Sequence, residues 1–308
     1  MTASSPRRSH LVERAADAAR AALEAETHLH VTRPSLAPVG ATPVTVEPAV
    51  RPPSRGQAIG PPARNEPAPV ASHLLRSAGL IGEAGPAREE IALVREQVLR
   101  GIESTAATEG RQARLVVITS TRAGEGKSFV ALNLAASIAE GAHRPVVLVD
   151  SERGPESLTA RLGLHGAPGL EQLRDVACSD PGELLRCTEV PGLLILPQGT
   201  ALPAGAQSNS MGTALLRLAE RLPDHVFVID TPACLESSVA GLLAAAAGQI
   251  TMVVEAERTT RPEVEAALDI LDACPTLQLL LNRSALRVSD RFRGPSARPC
   301  DAAVDAQA

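Results

Sequence analysis

Aromatic side chains are almost absent from this 308-residue chain, which has no Trp, no Tyr and only three Phe. Proteins that bind single-stranded nucleic acid commonly stack the bases on aromatic rings, so the composition nearly excludes a site of that kind. The formal net charge of −5 also argues against a dedicated nucleic-acid binder, which usually carries a basic excess. Because 44% of the residues are hydrophobic, we expect a sizeable core made of Leu, Val, Ile and Ala.

Lysine is equally scarce, since 29 of the 30 basic residues are Arg and Lys127 is the only lysine. The five Cys form no CxxC pair, which is typical of reduced cysteines that pack in a cytosolic protein. The N-terminus has no apolar region of a signal peptide. The longest uncharged run, 237–254, contains a Gly-Gln break that favours a helix followed by a strand over a membrane span. We therefore expect a cytoplasmic protein with no direct membrane span.

Composition divides the chain into four parts. Residues 1–30 are expected to form an N-terminal helical segment, because apolar residues recur at helical spacing over 9–26. Residues 31–72 contain ten Pro and are interpreted as a disordered Pro-rich linker. Both a tethered recognition helix and a frayed terminus fit this N-terminal part. Residues 73–290 are expected to be the folded domain, and 291–308 a disordered tail.

Six short apolar runs alternate with helical segments in the expected domain. Runs that are apolar on both faces and separated by helices are typical of strands in a parallel sheet covered on both sides. The sequence therefore predicts an α/β fold similar to P-loop NTPases, with a parallel sheet and helices on both faces. The predicted strands are 115–120, 145–150, 193–197, 225–230, 250–255 and 277–282, and the predicted helices are 88–102, 127–140, 211–222, 235–247 and 262–273.

The segment TRAGEGKS (121–128), between the first strand and the next helix, is typical of a phosphate-binding loop. Its backbone N–H groups and the helix N-terminus are suited to phosphate oxygens. Lys127 is expected to reach the β- and γ-phosphates of ATP, and the Ser128 hydroxyl to bind Mg²⁺. Thr121 departs from the strict pattern, which has Gly there. The residues predicted to bind the nucleotide are Thr121, Arg122, Ala123, Gly124, Glu125, Gly126, Lys127, Ser128, Phe129 and Asn282.

The single lysine supports this interpretation, because it falls on the one position where Arg is a poor substitute. A guanidinium is larger, planar and forked, and it cannot act as a compact point charge on phosphate. The alternative is a fortuitous Gly-rich turn that caps a helix.

Two predicted strands end in aspartate, Asp150 and Asp230. The carboxyl ends of parallel strands border the crevice where such sheets bind ligands. Asp230 suits a direct or water-mediated Mg²⁺ ligand, and Asp150 could orient an attacking hydroxyl or accept its proton. A simple turn or N-cap role is the alternative for each. At the end of the last strand, Asn282 could read adenine or merely end the strand.

The whole ordered series of motifs resembles one protein family. The series consists of ITSTRAGEGKSFVALNLAASIA, VVLVDSER, LLILPQGT, HVFVIDTP and LLLNRS. It is similar to the bacterial tyrosine autokinases of exopolysaccharide loci, especially their exosortase-associated branch. The resemblance implies an ATP-dependent cytoplasmic kinase that regulates polysaccharide polymerisation and export.

The same resemblance implies a partner and roles for individual residues. The expected partner is an inner-membrane chain-length-determinant protein, which would bring the kinase to the membrane periphery. Lys127, Asp150 and Asp230 are the implied catalytic residues. The implied Mg²⁺ ligands are Ser128, Asp150, Glu152 and Asp230. Whether the chain forms a homo-oligomer is left open.

The sequence departs from the family pattern in four respects, so alternative functions are considered. The chain has no tyrosine, so self-phosphorylation on tyrosine is impossible. Glu152 stands where the family has a second Asp, Ala233 replaces a Pro, and the E-x-x-R-x-x-R helix motif is missing. One alternative is a degenerate, nucleotide-dependent binding module. Another is a partition- or division-site ATPase, although those relatives carry a second lysine where this chain has Arg122.

Overall fold

The structure is a computed structural model, and it describes residues 68–284 apart from 83, 106–109, 177 and 179. The expected helical segment 1–30, the tail 291–308 and most of the linker 31–72 lie outside the described residues. The described part begins within the last residues of that linker, where the Val70 N–H donates to the carbonyl of Cys187 at 2.8 Å. No helix in the described part is long and apolar enough to cross a membrane.

Helices and strands alternate along the described chain, as the sequence predicts. The helices are α1 (Ser72–Ser77), α2 (Pro86–Ser104), α3 (Lys127–Gly141), α4 (Leu158–Arg161), α5 (Leu170–Arg174), α6 (Met211–Arg221), α7 (Val239–Ala244) and α8 (Arg261–Ile270), with a 3₁₀ turn at Pro181–Leu184. The strands are β1 (Gln112–Ser120), β2 (Val146–Asp150), β3 (Arg186–Cys187), β4 (Leu193–Leu196), β5 (Val226–Asp230), β6 (Ala247–Glu255) and β7 (Leu277–Asn282).

The seven strands form one sheet in the order β3-β4-β2-β5-β1-β6-β7. All neighbouring strands are parallel except β3 and β4, which pair in antiparallel register. The six predicted strands and the parallel sheet are thereby confirmed. The short β3 was not predicted, since two residues carry no periodic signal.

Both faces of the sheet are covered by apolar side chains. Along β1, Val116 and Ile118 face one core, which contains residues of α2 and α3. Leu115 and Val117 face the other core, which contains residues of α6, α7 and α8. This alternation explains why the strands are apolar throughout, because a parallel sheet with two covered faces exposes neither of them.

The main deviation from the predicted elements lies between β5 and β6. Helix α7 is only six residues long, and β6 begins at Ala247, where a helix over 235–247 followed by a break was expected. The Gly-Gln pair belongs to the strand, since Gln249 pairs in register with Val116 on β1. The buried Gln249 amide donates to the Val98 carbonyl on α2 at 2.8 Å. A buried glutamine whose amide is hydrogen-bonded to a helix on the sheet face appears in the sequence as a polar break, which favours a loop.

Candidate functional site

The phosphate-binding loop connects β1 to α3 at the carboxyl edge of the sheet. Gly124 and Gly126 have φ values of 86° and 99°, which are left-handed conformations that favour glycine. A side chain at Gly126 would also collide with the Asn282 amide. Helix α3 begins at Lys127, so its free N-terminal N–H groups point into the loop region. The backbone at this position is therefore suited to an anionic ligand.

Lys127 lies at the centre of the candidate site and is paired with an acidic residue of the next motif. Its ammonium nitrogen is 2.6 Å from Oε2 of Glu152, and its side chain is only 8% exposed. Glu152, which follows β2 by two residues, thus contacts the lysine directly. A phosphate group that reaches Lys127 must compete with this carboxylate.

Asp150 and Asp230 lie next to each other, as expected for the ends of adjacent strands. They are paired in register between β2 and β5, and both are fully buried. The Asp150 carboxylate accepts hydrogen bonds from the backbone N–H groups of Glu152 and Thr159, at 3.0 and 2.6 Å. Among the described residues, neither carboxylate oxygen of Asp230 has a hydrogen-bond partner.

Burial raises the pKa of both aspartates, and the charge of a neighbouring carboxylate adds to the effect in each case. Desolvation, followed by the charge of Asp150, raises the pKa of Asp230 to about 8, while the nearby Ser128 hydroxyl and Lys127 ammonium oppose that increase. Desolvation also raises the pKa of Asp150, and its hydrogen bonds with Thr159 and Glu152 oppose the effect. A buried carboxyl pair with no hydrogen bond at one member calls for a cation or a proton.

These residues fit a magnesium ion. Mg²⁺ prefers oxygen ligands and is commonly held by one or two carboxylates together with substrate phosphates and water. Asp230 offers two buried oxygens without partners, and Ser128 offers a hydroxyl on the first turn of α3. The part of the chain that the structure describes contains no cluster of three or more His, Cys, Asp and Glu residues suited to a metal.

A cavity of about 340 Å³ opens beside the loop and joins several predicted residues. Three further side chains, Glu156, Arg161 and Arg283, line it and were not singled out from the sequence. Glu156 precedes α4, Arg161 is its last residue and Arg283 follows β7, and none of the three stands at a position that the phosphate-loop pattern specifies. The cavity is lined by Ala123, Gly124, Gly126, Lys127, Ser128, Phe129, Glu152, Glu156, Arg161 and Arg283.

Acidic side chains also contact the exposed side of the loop. Arg122 forms an ion pair with Glu263 on α8. The backbone N–H of Ala123 donates to the Glu236 carboxylate at 2.9 Å. Glu236 follows β5, and neither Glu was predicted, because no pattern places them near the loop. The Arg122 guanidinium and the Ala123 N–H are therefore both bonded to carboxylates of the same chain.

The remaining predicted residues lie behind the loop. Thr121 is fully buried and donates its hydroxyl hydrogen to the Glu125 carboxylate, with oxygen–oxygen distances of 2.6 and 2.7 Å. The Asn282 amide donates to the Glu125 carbonyl at 2.8 Å. Asn282 thus contacts the phosphate-binding loop, and its amide N–H is engaged there. Asn282 therefore does more than end β7, because its side chain also holds the loop.

The chain is similar in sequence to proteins named bacterial tyrosine-protein kinases. CpsD of Streptococcus agalactiae, named a tyrosine-protein kinase, is 25% identical over 193 residues, which cover 61% of this chain and 83% of CpsD. EpsB of Ralstonia nicotianae carries the same kinase name provisionally, and it is 34% identical over 158 residues. The chain is related to bacterial tyrosine-protein kinases. The expected resemblance to that group is confirmed.

The extent of these similarities differs between the relatives. The EpsB match covers 50% of this chain but only 20% of EpsB, so the chain spans a small part of that relative. The chimerical protein CapA2B2 has a solved structure with a TM-score of 0.54 and 24% identity, covering 68% of this chain and 90% of that chain. This likeness supports the fold alone. No model of a protein family matches the chain.

Proposed function

We propose that the domain binds Mg·ATP and transfers the γ-phosphoryl group to a tyrosine of another protein, as a regulator of exopolysaccharide biosynthesis and export. The observation that carries this proposal is the meeting of Lys127, Ser128 and the unpartnered Asp230 carboxylate at one sheet edge. Relatives named tyrosine-protein kinases support the reaction class. The acceptor tyrosine lies outside these 308 residues, which contain none.

The proposed roles follow from the position of each residue. The loop N–H groups and Lys127 bind the phosphates, and Lys127 leaves Glu152 to do so. Ser128 and Asp230 would hold Mg²⁺, which neutralises charge on the phosphates when bound. Glu152 is placed to complete the surroundings of the metal once Lys127 has released it. Phe129 lines the cavity proposed for the nucleotide. Asn282 fixes the loop through the Glu125 carbonyl, and its proposed contact with the nucleotide would be made from there.

In the proposed transfer, the phenol oxygen of the acceptor forms a bond to the γ-phosphorus of ATP. The bond from that phosphorus to the β–γ bridging oxygen breaks, and ADP leaves with the electron pair. The phenol proton passes to a carboxylate at the site or to water. Asp150 is the proposed acceptor of this proton, because backbone N–H groups hold its carboxylate in place and its pKa is raised.

The proposed partner is an inner-membrane chain-length-determinant protein that supplies the tyrosine. The test uses γ-labelled Mg·ATP with the purified chain, alone and with a tyrosine-containing cytosolic segment of such a protein. Lys127→Ala and the matched Lys127→Arg, which keeps the charge, run beside the unaltered protein. Label on the partner's tyrosine that both variants lose is the expected result. Label released only as free phosphate would overturn the kinase assignment.

A nucleotide-dependent binding module is the second candidate, and one contact favours it. Glu152 pairs with Lys127 at 2.6 Å, so phosphate binding would separate these two side chains, a change that needs no phosphoryl transfer. In that case the chain would bind ATP with a Lys127-dependent affinity and release no labelled product. The partition-type alternative requires Arg122 to reach across a dimer, whereas Arg122 pairs with Glu263 of its own chain.

A further inference from the structure

Glu125 is the one acidic residue inside the phosphate-binding loop, and it is only 3% exposed. Its carboxylate accepts hydrogen bonds from the Thr121 hydroxyl and from the Arg122 backbone N–H, the latter at 3.0 Å. It also accepts a short hydrogen bond from the hydroxyl of Thr259, a residue 134 positions away in the chain. A buried negative charge beside a site for anions is unfavourable unless it is fully bonded.

Thr259 belongs to the turn that joins β6 to α8 and is itself held in place. Its hydroxyl accepts a hydrogen bond from the Glu255 N–H at 3.2 Å, and its own N–H donates to the Glu255 carbonyl at 3.1 Å. Its hydroxyl hydrogen is therefore available for Glu125. These two bonds orient the Thr259 hydroxyl within the turn.

Glu125 also fixes the loop through its backbone, since its carbonyl accepts from the Asn282 amide at the end of β7. Segments from β1, β6 and β7 thus meet at this single residue. We infer that Glu125 and Thr259 are positioning residues for the nucleotide site, and that they set the shape of a loop whose usual first glycine is replaced by Thr121. This inference rests on the proposed nucleotide binding.

A carboxylate is suited to this task because it accepts several hydrogen bonds at once. The amide of a Gln offers only one acceptor oxygen, so Glu125→Gln keeps the size but loses part of the bonding. Thr259→Val removes the hydroxyl at nearly constant volume, while Thr259→Ser retains the hydroxyl. The pair of Thr259 variants separates the hydrogen bond from the packing of the side chain.

The experiment measures the affinity for Mg·ATP by calorimetry in the full chain. Thr259→Val should weaken binding by about tenfold, the range expected for one hydrogen bond to a charged group. Thr259→Ser should retain the original affinity. The double variant Glu125→Gln/Thr259→Val should lose less than the product of the two single losses, because both changes break the same contact.

The results separate this inference from the proposed function. If the unaltered chain does not bind Mg·ATP, the proposed function fails first. If it binds and Lys127→Ala does not, equal affinities for Thr259→Val and the unaltered chain would overturn the positioning role. Independent, multiplicative losses in the double variant, or a loss in Thr259→Ser, would overturn it as well. The melting temperature without nucleotide reports any general loss of stability in each variant.

Discussion

Asp150 and Asp230 are in-register neighbours on two parallel strands, yet only Asp150 is stabilised by hydrogen bonds. The carboxylate of Asp230 is buried and without a hydrogen-bond partner among the described residues, and desolvation is the first cause that raises its pKa to about 8. The two strand ends therefore differ in chemistry although they look alike in sequence. Asp230 has the greater need for a cation.

Magnesium binding should depend on pH, because Mg²⁺ must displace the proton that Asp230 holds. Since the pKa of Asp230 is about 8, affinity for Mg²⁺ in the presence of ADP should rise with pH and level off above that value. The rise should approach about tenfold per pH unit while the carboxyl is protonated. Calorimetric titration of Mg²⁺ at several pH values measures it, and a flat profile from pH 6 to pH 9 would contradict the prediction.

Replacing Asp230 by Asn should stabilise the domain without nucleotide or metal at alkaline pH. A folded-state pKa raised above the unfolded value means that ionisation opposes folding, so stability is lost as pH rises from about 4 toward about 8. The Asp230→Asn variant has no such ionisation. Its melting temperature should exceed that of the unaltered chain at pH 8, and the difference should shrink toward pH 5. A difference that stays constant with pH would exclude this cause.

Glu236→Gln should strengthen ATP binding. The Glu236 carboxylate occupies the backbone N–H of Ala123 in the phosphate-binding loop and places negative charge near the phosphates. Removing the charge should lower the dissociation constant of ATP by several-fold, with a smaller effect for adenosine, which has no phosphates. The affinities for both ligands are compared by fluorescence competition. Unchanged ATP affinity would show that the carboxylate moves aside at no measurable cost.

Asn133→Ala should destabilise the domain by about 1–3 kcal/mol, because it removes three hydrogen bonds of a buried side chain to part-buried backbone groups. The Asn133 side chain accepts from the Ile81 N–H at 2.8 Å and donates to the carbonyls of Gly79 and Phe129. These bonds join the segment after α1 to helix α3. Urea unfolding at 25 °C gives the free energy of unfolding.

Ser77→Ala is the matched control for Asn133→Ala, since its hydroxyl bond to the Leu74 carbonyl is exposed. Exposed substitutions usually change stability by less than about 0.5 kcal/mol. Equal effects of the two variants would contradict the structural role given to Asn133.

The sequence predicted the sheet well, because strands that are buried on both faces produce apolar runs with little ambiguity. It also placed Lys127, Asp150 and Asp230, since a loop motif and the ends of strands have fixed positions in such a fold. Glu236 and Thr259 could not be predicted, because each reaches the loop from a distant segment. Contacts of that kind depend on tertiary packing and leave no local pattern.

Local sequence propensity also mispredicted the end of helix α7, where contacts between distant segments set the conformation. The Ala-rich segment before Gly248 looks like a long helix, but the chain leaves α7 at Ala244 and enters β6. Gly248 lies so close to the backbone of Ala113 on β1 that a side chain would not fit. The glycine that suggests a break in sequence instead permits close pairing of two strands.

Lys127 has a practical consequence for chemical biology. It carries the only side-chain amine in the sequence, and that amine is nearly buried against Glu152. An amine-acylating reagent can therefore modify a side chain at one position only, inside the site. The rate at which this amine is acylated would therefore report whether a ligand occupies the proposed nucleotide site. An enzyme that acetylates lysine would likewise have one side-chain target in this sequence, and the modification would remove the charge of Lys127.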